Sequence, residues 1–134
     1  MKSLKRIAGI FALTLLATWG LNAGAAGLGP IKLQSTLGQG FAAEIDVLGL
    51  QPDDLLTAQA RMAAPEEFEN AKLPYASVVS RIRVSIVPKG ADKAVLRLSS
   101  NSPVTEPALN LLIEFSWRGN RILQKYAVLL DPPR

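Results

Sequence analysis

Neither cysteine nor histidine occurs among the 134 residues of the chain. Their absence excludes Ser-His-Asp and Cys-His nucleophilic machinery and zinc sites of the usual kind. It also excludes disulfide staples and a lipidated N-terminal cysteine, so a fold of this size must rest on its hydrophobic core. Glycine-rich phosphate loops are missing as well: no GxGxxG, GxxxxGKS/T or calcium-loop spacing appears. There is no internal repeat and no low-complexity segment. No cofactor is therefore expected.

The chain's long apolar run is at the start. Met1 to Arg6 is a short basic head, Ile7 to Leu21 is apolar apart from Thr14 and Thr18, and Asn22 to Ala26 is rich in small residues. This is the layout of a secretory signal peptide, with cleavage expected near Ala25. The run is shorter than the ~20 residues a membrane-spanning helix needs, so contact with the membrane is expected only through the signal before cleavage. Residues 26–134 then form one domain, expected in an exported, periplasmic-type compartment. Lys2, Lys5 and Arg6 leave with the signal, which brings the remaining basic residues to within one of the 11 acidic ones. The high isoelectric point is thus a targeting feature and gives no reason to expect nucleic-acid binding.

After a flexible lead-in at 26–30, the domain alternates apolar and polar residues over short stretches bounded by turns. Ile31–Ser35 and Phe41–Val47 read as strands, with Phe41, Ala43, Ile45 and Val47 facing inward. Pro52-Asp53-Asp54-Leu55 and Pro65–Ala71 read as short helical turns, because proline suits the first helical position and acids suit the first turn. Leu56–Met62 reads as a strand, and Leu73–Ser80 is ambiguous around Pro74. A hairpin over Ile82–Leu98 and a polar crossing segment, Ser99–Pro103, lead to a closing hairpin, Glu106–Pro133, with Gly119-Asn120 at its turn. The return strand, Arg121–Leu130, is apolar on both faces and is expected centrally or under a covering layer. The predicted fold is mainly β: an immunoglobulin-like β-sandwich of six or seven short antiparallel strands, with one or two short helices in its connections.

Candidate chemistry is sparse. Asp53-Asp54 and Glu66, Glu67 and Glu69 could in principle do acid–base work, but both clusters follow a proline at a helix start, where acids stabilise the first turn. An enzyme is not expected. Arg81, Arg83 and Arg97, joined by Lys89 and Lys93 at the hairpin tip, form the candidate interaction surface, suited to an anionic cell-wall polymer or an acidic partner. The same pattern also describes an ordinary solvated sheet face. Trp117 can be read as a sugar-stacking platform or, on the apolar face of a strand, as a core anchor.

Several segments together resemble the amino-terminal domain of the FimV family of bacterial pilus-assembly and polar-landmark proteins. They are Ala26-Gly27-Leu28-Gly29, Leu37-Gly38-Gln39 with Ala43-Glu44-Ile45, and the ending Glu106-Pro107, Glu114, Trp117, Gly119 and Tyr126–Pro133. Family members usually carry proline after the Leu-Gly-Gln; Gly40 stands here and is expected to loosen that turn. The resemblance implies a β-rich periplasmic domain that helps organise type IV pilus or secretion machinery. Its expected partners are envelope or pilus-secretion proteins, with peptidoglycan as an alternative. Family proteins continue into a peptidoglycan-binding LysM module, a membrane span and a cytoplasmic region. This sequence stops at Arg134, so a truncated remnant of a longer pilus-assembly protein is a further expectation, and cell-wall binding does not carry over. The resemblance assigns no site residues.

Overall fold

A computed structural model describes residues 26–133; the expected signal segment and its cleavage point lie outside the described residues. Seven strands form two antiparallel sheets. The four-stranded sheet is ordered β1-β2-β5-β4 and contains β1 (Gly27–Leu33), β2 (Gly40–Leu48), β4 (Arg83–Pro88) and β5 (Ala94–Pro103). The three-stranded sheet is ordered β3-β6-β7 and contains β3 (Gln59–Met62), β6 (Ala108–Trp117) and β7 (Asn120–Leu129). Two 3-10 turns (Pro52–Leu56 and Ser77–Arg81) and one short helix, α1 (Pro65–Asn70), fill the connections.

The core lies between the sheets and comes from the alternation that the sequence displays. Phe41, Ala43, Ile45 and Val47 of β2 are buried, as are Leu96 and Leu98 of β5 and Leu109, Leu111, Ile113 and Phe115 of β6. Phe68, the one large apolar residue of α1, is fully buried and meets Tyr75 edge-on at 4.8 Å. The helix is too short to persist in isolation, and burial of that ring anchors it.

Two cross-sheet ties close the sandwich. On one side, the Tyr126 hydroxyl of β7 donates to the Gly29 carbonyl of β1 at 2.7 Å. On the other, Ile86 of β4 shares a cleft with Gln59, Ala60 and Arg61 of β3.

Four expectations need correction. The lead-in is already strand: β1 begins at Gly27, and a bulge between Leu28 and Ile31 accommodates Pro30, which cannot donate to a ladder. The polar segment Ser99–Pro103 does not cross between sheets but extends β5, against Gly40 and Ala42 of β2. The closing turn is Arg118-Gly119 rather than Gly119-Asn120. Trp117 pairs with Asn120, and both turn residues have positive φ (46° and 76°), the two-residue hairpin geometry that matches strand twist. Finally, β7 is not central. It lies at the sheet edge, and β6 occupies the middle.

Gly40 has a steric role in strand pairing. A Cβ there would sit 2.5 Å from the Ser100 carbonyl oxygen, so glycine permits β2 and β5 to approach at the bulge between Gly40 and Ala42. Beside it, the Phe41 amide donates to Ser100 Oγ at 2.9 Å.

Candidate functional surface

The five basic residues proposed as one surface are divided by the structure. Register places Arg97 opposite both Glu44 and Ser85, with Arg83 diagonal to it on the outer face of the four-stranded sheet. Arg97 approaches Glu44 at 3.9 Å, and on the same face Lys32 pairs with Asp46 at 3.0 Å. That central part of the face therefore alternates in sign. Arg81 and Arg83 line a small polar cleft with Ser80, Asn101 and Ser102, and neither forms an ion pair among the described residues. Lys89 and Lys93 lie at the other end of β4 and β5. They line a cleft of about 580 Å³ whose walls include Val47, Leu48, Leu50 and Val95, with Asp46 and Asp92 beside them.

Both acidic clusters contribute structural bonds, through Asp53, Asp54 and Glu67, whereas Glu66 and Glu69 are exposed. Asp54 is buried; one carboxylate oxygen accepts the Gln51 amide at 2.8 Å, and the other meets Arg118 Nε at 2.9 Å. Asp53 reaches the same guanidinium at 3.4 Å, and the Arg118 amide donates to Thr57 Oγ1 at 3.0 Å. These bonds hold a non-glycine residue in the left-handed region, where L-residues are rarely found. The acidic turn and the hairpin tip thus form one unit. Glu67 of α1 accepts from Arg121 of β7 at 3.0 Å.

Arg121 belongs to an ionic chain that sequence reasoning missed. Glu114, at the centre of β6, is only 7% exposed and is gripped by Arg61 of β3 and Arg121 of β7. The Arg61 hydrogen bond, opposed by burial and reinforced by Arg121, holds the Glu114 carboxyl below its ordinary value. The chain Arg61–Glu114–Arg121–Glu67 crosses the outer face of the three-stranded sheet and clamps α1 to it. The signal was present in the sequence: Glu114 is the sole charge in the run Leu109–Phe115. Alternation puts Glu114 on the face opposite Leu111, Ile113 and Phe115, and nothing in a single strand shows what covers that face.

Trp117 is half-buried at the margin of the core, with its ring stacked against Phe115 at 5.4 Å. The core-anchor reading holds for that packing, and the sugar-platform reading loses a freely exposed ring. Among the described residues no group of three or more Asp or Glu is arranged to hold a metal ion, and no helix is long and apolar enough to cross a membrane.

Comparison with known proteins places these features in a family. The model for the FimV N-terminal, Ig-like domain matches residues 26–133. The motility hub proteins FimV of two Pseudomonas aeruginosa strains, PAO1 and UCBPP-PA14, are each 39% identical over 109 residues. That match covers 80% of this chain and 12% of each relative's length. No solved structure gives a significant match.

Proposed function

The chain belongs to the FimV N-terminal domain family, and from that premise we propose that it is a non-enzymatic periplasmic assembly domain. In this reading it helps organise type IV pilus or secretion machinery through protein–protein contacts. The family match across the whole described domain carries the reading, together with the motility role named in its relatives. The disposition of its acids agrees with it. Asp54, Glu67 and Glu114 are each bound to arginine and knit elements together, which leaves them poorly placed for proton transfer. Arg81 and Arg83, solvent-facing and beside Asn101 and Ser102, are the basic groups best placed to meet an acidic partner. The periplasmic assignment rests on the secretory pattern of residues 1–25.

Crosslinking in intact cells through a photoreactive residue at Arg81 or Arg83 is expected to capture a pilus-secretion protein of the envelope. Deletion of the gene is expected to impair pilus-dependent motility. Capture of no envelope protein, with motility intact, would overturn the reading. Co-sedimentation with purified peptidoglycan, abolished by Arg81→Ala with Arg83→Ala, would instead establish the alternative of a cell-wall-binding module.

A further inference from the structure

The four sheet edges are not equally protected. Strand β1 carries Pro30 and a bulge, and β3 is only four residues long, both recognised ways of discouraging strand addition. Strand β4 has six residues, ends at Pro88 and lies against β3, as β7 is tied to β1 through Tyr126. Strand β7 has ten residues with no proline before Pro132.

The orientation of its backbone follows from one bond. The Leu130 amide donates to the Pro107 carbonyl, so 107/130 is a hydrogen-bonded position of the β6–β7 ladder. Such positions alternate in an antiparallel pair. With the observed register, the residues of β7 that bond β6 are Asn120, Ile122, Gln124, Tyr126 and Val128. Arg121, Leu123, Lys125, Ala127 and Leu129 therefore turn their N–H and C=O groups outward. All five are exposed, and Leu129 reaches 76%. A 3.5 Å contact from Gln124 Nε2 to the Lys125 carbonyl is the one side-chain bond recorded to these groups among the described residues. Just beyond them, the Asp131 carbonyl accepts the Leu37 amide.

We propose that β7 is a homodimer edge, pairing antiparallel with β7 of a second copy about a two-fold axis at Tyr126. The occupant is argued from self-complementarity. With the axis at Tyr126, Leu123 faces Leu129 of the second copy and Lys125 faces Ala127, while Arg121, already held by Glu114 and Glu67, comes opposite Asp131. Moving the axis by one residue destroys this match: at Lys125 the lysine meets itself, and at Ala127 Leu123 meets Asp131. Like charges placed directly opposite are destabilising, whereas apolar and opposite-charge pairs stabilise. The Tyr126 axis also gives the required phase: the Leu123–Leu129 and Lys125–Ala127 pairs fall in hydrogen-bonded positions, and Asp131, whose carbonyl already accepts the Leu37 amide, ends the pairing. The result is one six-stranded sheet across two copies, an isologous interface of the commonest oligomer symmetry.

The test exploits the absence of native cysteine. In the full chain, Leu123→Cys and Leu129→Cys variants are made separately, and sedimentation of the wild-type chain is followed over a concentration series. The expected results are a concentration-dependent dimer and a disulfide that forms in an equimolar mixture of the two variants, because a hydrogen-bonded pair falls within disulfide reach. Each variant alone is expected to give at least tenfold less crosslink, since identical positions lie six residues apart in this register. Ala127→Pro is expected to abolish the dimer with an unchanged circular-dichroism spectrum, because its amide points away from β6. A monomer at all concentrations, or equal crosslinking in the single-variant samples, would overturn the proposal. So would in-cell crosslinking at Leu129 to a different protein by a chain that stays monomeric.

Discussion

Strands β6 and β7 are the two arms of one hairpin and have similarly apolar sequences, yet they live in different solvents. In β6 both faces are covered, and the unbroken run Leu111–Phe115 is buried, Glu114 included. In β7 only Tyr126 and Val128 are buried, while Leu123 and Leu129 are exposed on the other face. Apolar composition on two faces therefore does not establish a central strand. Position in the sheet order decides, and so does the ionic chain that seals the outer face over β6. An exposed apolar strand at an edge then becomes a statement about binding.

The contrast can be broken most severely at Phe115. Replacement by alanine in β6 is expected to lower the unfolding free energy by about 3–5 kcal/mol, measured by urea denaturation. A loss below ~1 kcal/mol would mean that β6 is less enclosed than its burial indicates.

Glu114 tests the seal. Glu114→Gln keeps the shape but weakens bonds to two guanidinium groups, with an expected loss of about 1.5–3 kcal/mol. Because the folded carboxyl titrates below its unfolded value of 4.5, its contribution is fully present above that pH. It fades as pH falls through the lower folded value. The variant should therefore show a shallower loss of stability on acidification than the wild type.

A smaller effect is expected at Tyr126. Removing the hydroxyl in Tyr126→Phe deletes the bond to Gly29 and should cost about 0.5–1.5 kcal/mol. Burial pushes the phenol up to about 12, so the folded state resists its ionisation. Stability is then complete below the ordinary value of 10 and declines as pH rises from there through 12. In a Tyr75→Phe variant, where Tyr126 is the sole tyrosine, phenolate absorbance in the folded protein should emerge near pH 12.

The smallest effect belongs to Leu129. Leu129→Ala should change thermal stability of the monomer by no more than ~0.5 kcal/mol, as for other exposed positions. A large loss would show that β7 is covered after all.

Much of the fold was legible because strands buried on one face announce themselves by alternation. Phe41, Ala43, Ile45 and Val47 point inward as their spacing requires, and Pro52 and Pro65 open helical turns where proline is tolerated. The errors share one cause. Gly27–Pro30 and Ser99–Pro103 have weak strand character of their own and are ordered by pairing with β2, which neither segment reveals by itself. The burial of Glu114 was illegible for the same reason: its partners Arg61 and Arg121 arrive from two other strands. At the closing turn, Gly119 was recognised, but Arg118 was not expected at positive φ because its support from Asp53, Asp54 and Thr57 is tertiary. The basic surface was legible as composition only. Its division into an Arg81–Arg83 end and a Lys89–Lys93 end depends on strand length and register.

The bond between Tyr126 and Gly29 joins residues 97 positions apart in the chain. Its consequence is kinetic. The first strand and the last must both be present before that side of the sandwich can shut, and closing so large a loop carries its full entropy before any contact rewards it. Domains dominated by such pairings fold in milliseconds to seconds, far more slowly than helical bundles. Until its final strand has been made, the chain cannot complete its native sandwich.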